Sequence, residues 1–243
     1  MTTKTEQRKA LARGLQKLNE NMITLAELSE LAIRKAVDGL SRLDAAVAQE
    51  VFTLDQEIYA LQLEIERTCI DLIALHAPVA RDLRTITTSL KITTDLDRIG
   101  RYAKDIGEIT LQFGGARPDE PLGFMHLREM ADHTIRMVDT ATEAFVRRDA
   151  ESVRNIIEVD DTVDRLHDEI FQDIVRRMTD RTLDVQTGAR YILVNRYLER
   201  IADHAVNIGM RVVYMVTAEL LPRVRAADRL KGPGRGDVSR PSL

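Results

Sequence analysis

The strongest constraint on this chain is an internal duplication. Leu40, Asp44, Ala45 and Asp55 recur as Phe145, Asp149, Ala150 and Asp160, each 105 residues further on. The apolar positions Ile58, Leu61 and Ile65 fall on Val163, Leu166 and Ile170 at the same separation. Later in each copy the separation shortens to 102, so that Asp97-Arg98-Ile99 falls on Glu199-Arg200-Ile201. A three-residue difference in one intervening turn accounts for the change. Two copies are too few for a solenoid, which needs at least three. They imply two small domains of one design.

The punctuation makes that design helical. The six prolines stand at Pro78, Pro118, Pro121, Pro222, Pro233 and Pro241, leaving long proline-free stretches. A proline inside a helix costs about 3 kcal/mol, so these positions mark where helices stop. Aromatics are 4% with no Trp, too few for a strand-rich sandwich or barrel. Between breaks the apolar period is that of a helix: Ile58, Leu61, Ile65, Ile70 and Ile73 recur at spacings of three to five. Six helices are predicted, at 6–43, 46–75, 79–113, 122–147, 150–179 and 184–220. The segment Gly114 to Pro121 is the strongest break. The expected fold is all-α, two tandem antiparallel three-helix bundles over 1–116 and 117–221. Residues 222–243 read as a basic, disordered tail carrying Arg223, Arg225, Arg229, Lys231, Arg235 and Arg240. Its glycines follow no strand and precede no Gly-Lys-Ser/Thr, so no phosphate loop is assigned.

Several function classes fall away. A net charge of −4 gives no global reason to bind nucleic acid. One cysteine, Cys69, excludes an internal disulfide and a Cys-rich zinc site, and reads as a buried structural thiol. A membrane span needs about 20 uninterrupted apolar residues. The stretch Val212 to Leu221 is short and broken by Thr217 and Glu219. The first residues lack the apolar core of a signal peptide. A cytoplasmic protein that does not span the membrane is expected.

The unusual chemistry lies in paired carboxylates. Asp160 and Asp164 are one helical turn apart, as are Glu199 and Asp203. On the wheel, Val153, Ile156, Val163, Phe171 and Ile174 lie near Asp160; Ile192, Ala202, Val206, Met210 and Val213 lie near Glu199. Acids beside an apolar stripe need a counter-charge, and a hard cation is one supplier. Solvated acids on the rim of the core are the plainer reading. Asp164 and His167 echo the Glu-x-x-His motif of di-iron bundles only once, and His167 reads as a core-edge residue. Asp203-His204 and Asp132-His133 point about 100° apart on a helix and form no ready dyad.

The doubled three-helix pattern, Ala80-Arg81-Asp82-Leu83-Arg84, and Leu198-Glu199-Arg200-Ile201-Ala202-Asp203 together resemble the PhoU family over residues 10–220. The resemblance implies a negative regulator of phosphate uptake, phosphate homeostasis being its task. It implies contact with the ATPase subunit of the phosphate ABC transporter, a sensor histidine kinase as a further partner, and a homodimer. It also implies divalent or iron-type metal ions at Glu/Asp-x-x-x-Asp motifs. The second repeat keeps such a set in Asp160, Asp164, Glu199 and Asp203, with Asn207 one turn on. The first repeat keeps Asp55 and Asp97 but places Tyr59 and Arg101 at the partner positions, and Asp105 where the second has Asn207. Arg101 can reach Asp97 one turn back and serve as an internal cation. Metal binding is therefore expected in the second bundle alone, and no catalytic set is expected. The competing readings are a carboxylate-bridged di-iron enzyme, which would need two Glu-x-x-His motifs, and a purely structural scaffold. A second apolar line on the last helix, Val194, Ile201, Ala205 and Ile208, calls for cover from the other bundle or another subunit.

Overall fold

The computed structural model describes residues 4–113 and 126–219. Six helices follow in order: α1 Lys4–Arg42, α2 Ala45–His76, α3 Ala80–Gln112, α4 Leu127–Arg147, α5 Val153–Thr179 and α6 Val185–Thr217. Among the described residues there is no strand. The expected tail, the Gly114–Pro121 break and the 116/117 boundary lie outside the described residues.

Local chemistry sets the helix ends. Asp44 Oδ1 accepts from Ala46 N at 2.9 Å and Val47 N at 3.2 Å, opening α2. Asp184 Oδ1 opens α6 in the same way, accepting from Gln186 N and Thr187 N at 3.0 Å each. Asp149, the counterpart of Asp44, accepts from Glu151 N at 2.9 Å and also from the Ser152 hydroxyl. That local bond holds residues 150–152 out of the helix, so α5 starts at Val153 rather than at 150. At the far end Ala218 turns left-handed (φ 65°) and stops α6 at Thr217, short of 220.

Helices α1, α2 and α3 form one three-helix bundle, and α4, α5 and α6 the other. The bundles meet through α3 against α6 and α1 against α4, leaving α2 and α5 outermost. One continuous apolar core runs through both. Close approaches recur at equivalent places in each. A Cβ on Gly107 would lie 3.2 Å from the Ala48 carbonyl oxygen, and one on Gly209 would lie 3.0 Å from Val153 Cγ1. Gly209 is the counterpart of Gly107, and Val153 of Ala48, so the duplication is structural as well as sequential.

The two repeats dock about a pseudo-two-fold axis. Arg34 Nη2 donates to Asp139 Oδ2 at 2.8 Å, and these two residues are counterparts, so the axis passes between them. Beside them Thr142 Oγ1 donates to Glu30 Oε1 at 3.0 Å; the mirror pair is Val37 and Ile135. Along α3 and α6, His204 Nδ1 lies 2.8 Å from Asp95 Oδ1. The counterparts of that pair, Tyr102 and Tyr197, stack with centroids 5.7 Å apart. Ile201 and Ile208 share the face of α6 that carries Tyr197 and His204, and both are fully buried. The cover that α6 required is the first bundle.

Candidate functional site

In the groove between α5 and α6, two of the four expected acids, Asp164 and Glu199, each lie within electrostatic range of a third, Asp203. Burial, then Asp203, pushes the Asp164 carboxyl above the usual range. Burial, then Asp203, does the same to Glu199, against the pull of Arg196. Glu199 accepts from Arg196 Nη1 at 2.9 Å. Arg200 Nη1 stands 3.7 Å from Asp203 Oδ2, and Asp203 itself is exposed. Asp160 and Asn207 are half-buried on the flanking turns of α5 and α6.

His167 is more involved than its sequence position indicated. It is half-buried and stands within electrostatic range of both Asp164 and Glu199. Its Nδ1 and one oxygen of Glu199, Oε2, are buried without hydrogen-bond partners. Fully buried Asn195 donates from Nδ2 to the His167 carbonyl at 2.9 Å, while its Oδ1 is likewise unpartnered. The one-turn spacing from Asp164 was the available signal. The wheel also placed Phe171 in the apolar stripe, but it is 39% exposed, while Ile170 and Ile174 on either side of it are fully buried.

The donor chemistry suits a hard cation, with several acids and orphaned polar atoms. The arrangement is less suited. Among the described residues no group of three or more His, Cys, Asp or Glu side chains is gathered as a ligand set. Arg196 and Arg200 occupy the acids instead.

The first-repeat groove carries its cation within the chain. Arg101 Nε donates to Asp97 Oδ2 at 3.1 Å, and the guanidinium lies 5.8 Å from the Tyr59 ring centroid. Asp97 is 5% exposed and its Oδ1 has no hydrogen-bond partner. Burial raises its pKa, Arg101 lowers it, and half-buried Asp55 raises it again. Asp105 is raised by burial, with Lys104 acting against it. Cys69 is fully buried, and burial followed by Glu66 pushes its thiol up to about 12.

Sequence reasoning also missed His204. Its partner is Asp95, on the other bundle, not neighbouring Asp203. Among the described residues no helix is long and apolar enough to cross a membrane.

A duplicated three-helix bundle with an acidic groove in each half defines a class of two-repeat helical proteins. A model of the PhoU domain matches residues 22–110 and 127–212, one segment per repeat. The chain belongs to the PhoU family. It is 32% identical over 211 residues to the phosphate-specific transport system accessory protein PhoU homolog of Aquifex aeolicus, covering 87% of this chain and 95% of that one. The homolog of the same description from Pseudomonas aeruginosa is 30% identical over 202 residues, 83% of each chain. The crystal structure of PhoU from Pseudomonas aeruginosa superposes with a TM-score of 0.81 at 29% identity, covering 86% of this chain and 99% of that one. That of the phosphate transport system regulatory protein PhoU from Streptococcus pneumoniae gives 0.80 at 27% identity, covering 88% and 100%.

Proposed function

We propose that this protein restrains phosphate uptake in the cytoplasm by contacting the ATPase subunit of a phosphate ABC transporter, and a sensor histidine kinase where one is present. The observation that carries this reading is the match of both repeats, nearly end to end, to proteins described as phosphate transport accessory or regulatory proteins. It acts as a binding protein rather than an enzyme, and self-associates as a dimer. Deleting the gene should raise phosphate uptake in phosphate-rich medium, and affinity capture from such cells should recover a transporter ATPase. Unchanged uptake together with capture of unrelated proteins alone would overturn the reading.

We also propose that a metal ion is taken up by the second groove alone. Asp160, Asp164, Glu199 and Asp203, with Asn207 beside them, would hold a divalent or iron-type cation once Arg196 and Arg200 swing away. The Asp55 and Asp97 groove would hold none, since Arg101 already fills that role. Manganese should raise the melting temperature of the full chain, because a ligand stabilises only the state that binds it. Asp203→Ala should abolish the rise and Asp97→Ala should preserve it. A rise that depends equally on both grooves would contradict the asymmetry.

A further inference from the structure

Where α4 gives way to α5 the chain turns on Arg148, whose backbone is left-handed (φ 55°). Its Nη2 donates to Thr85 Oγ1 on α3 at 3.2 Å, tying the second repeat to the first. Arg148 and Arg81 are both exposed. Partial desolvation, then the like charge of Arg81, pulls the Arg148 pKa down, and Asp82 acts against them. Arg84 stands one turn beyond Arg81 and is half-buried, with Nε making no hydrogen bond within the protein. None of Arg81, Arg84 and Arg148 forms an ion pair among the described residues; the neighbouring Arg147, by contrast, pairs with Glu143 at 2.8 Å. Val79 caps α3 without a side-chain hydrogen bond, so the first N–H groups of that helix add to the positive field.

The duplication reports what the fold alone needs at this place. The counterpart of Arg148 is Leu43, and that of Arg81 is Leu183. Leu43 adopts the same left-handed backbone (φ 52°) and packs against the core. Leu183 is 9% exposed. Gln186 and Thr187 stand opposite Arg84 and Thr85. At one end of the seam, then, two leucines occupy these positions. At the other, guanidiniums stand in their places, exposed at Arg81 and Arg148 and half-buried at Arg84, with Arg81 and Arg148 repelling each other and no ion pair formed by any of the three among the described residues. The clustered positive charge and the unpartnered Arg84 Nε call for an anion from outside.

We propose that Arg81, Arg84, Arg148 and Thr85 form a binding site for a phosphate-type oxyanion at the junction of the two repeats. Guanidinium forks meet two oxygens of a tetrahedral oxyanion at once, and a hydroxyl serves a third. Inorganic phosphate and the phosphate headgroup of an anionic lipid share this chemistry. Exposed Leu75 and Val79, in and beside the α2–α3 turn, supply an apolar flank for the lipid case. Choosing phosphate over other oxyanions rests on the phosphate-control reading above. A bound anion would tie Arg148 of one repeat to Arg81 and Arg84 of the other, strengthening the seam.

The test uses the full chain at constant ionic strength, with chloride as control. Inorganic phosphate is titrated calorimetrically and by thermal shift. Vesicles containing phosphatidylglycerol are compared with phosphatidylcholine alone by co-sedimentation. The double variant R81L/R148L copies the leucine pair of the other end. It should keep or raise the ion-free melting temperature and weaken binding about tenfold or more. R84Q, copying Gln186, is the second variant and should weaken binding by a smaller factor. Loss of vesicle association in these variants, with no binding of free phosphate by either form, assigns the site to a headgroup. Absence of both activities, or equal binding by wild type and variants, overturns the site. Uptake control intact without oxyanion binding would remove this site and leave the regulatory reading standing; binding without uptake control would do the reverse.

Discussion

Asp97 shows how a single side chain replaces a function that its counterpart leaves open. It is nearly buried, and a carboxylate there is costly unless a positive charge stands by. Arg101 supplies that charge one turn along α3 and rests its other face on Tyr59. In the second repeat the same position is Asp203, which adds a negative charge instead. Arg101→Met should therefore destabilise the protein, and unequally with pH. Removing the cation raises the Asp97 pKa further above that of the unfolded chain, so the folded variant holds a proton that the unfolded chain releases. Its stability then falls as pH rises through that interval. The deficit against wild type should be about 1–2 kcal/mol near pH 8, discounted because Arg101 is half-exposed, and smaller near pH 5. Urea midpoints at the two pH values decide it; an equal deficit at both would show that Arg101 acts through packing alone.

Among the elements, the helices differ in how tightly their glycines let them approach. A methyl on Gly107 meets a backbone carbonyl of α2, which is fixed by its own helical bond and cannot retreat. A methyl on Gly209 meets a valine side chain, which can. Gly107→Ala should thus cost about 1 kcal/mol net of its gain in helix propensity, lowering the melting temperature by about 2–4 °C, and Gly209→Ala less. Thermal melts of both variants test the order. Much of this architecture was legible in the chain: six helices, their breaks and the duplication come from periodicity and proline placement, which are local. The start of α5 was misplaced because Asp149 and Ser152 bond to each other, a contest between turn and helix that wheel patterns do not weigh. The acids at 160, 164, 199 and 203 were also legible as pairs, since one-turn spacing is local. The roles of His167 and His204 were not. They depend on which face of one helix meets which face of another, and for His204 on a contact across the repeats with a residue 109 positions away.

At the scale of the whole molecule, the pseudo-two-fold seam carries its own titration. The axis brings Arg34 to its counterpart Asp139, so the cation beside the pair is engaged by Asp139, 2.8 Å away. Glu30 is left with the Thr142 hydroxyl and with Asp139 as a like-charged neighbour. Burial is the largest influence and Asp139 the next; Thr142 and Arg34 act against them, and the Glu30 pKa rises from 4.5 to about 7. Below the ordinary carboxylate range both folded and unfolded chains hold the proton, and above about 7 both have lost it. Between the two, the folded chain alone keeps it, so stability falls as pH climbs through that window. Glu30→Gln keeps an uncharged group that accepts from Thr142 and removes the titration. The variant should match wild type near pH 4.5 and exceed it by about 1–3 kcal/mol near pH 8. Because Glu30 lies on α1 and Thr142 on α4, that gain belongs to the docking of the repeats. Hydrogen exchange should show it as slower opening of α1 and α4 in the variant at high pH. Parallel stability curves for wild type and Glu30→Gln across this range would show that the seam does not titrate, and that the two halves are held by their apolar contacts alone.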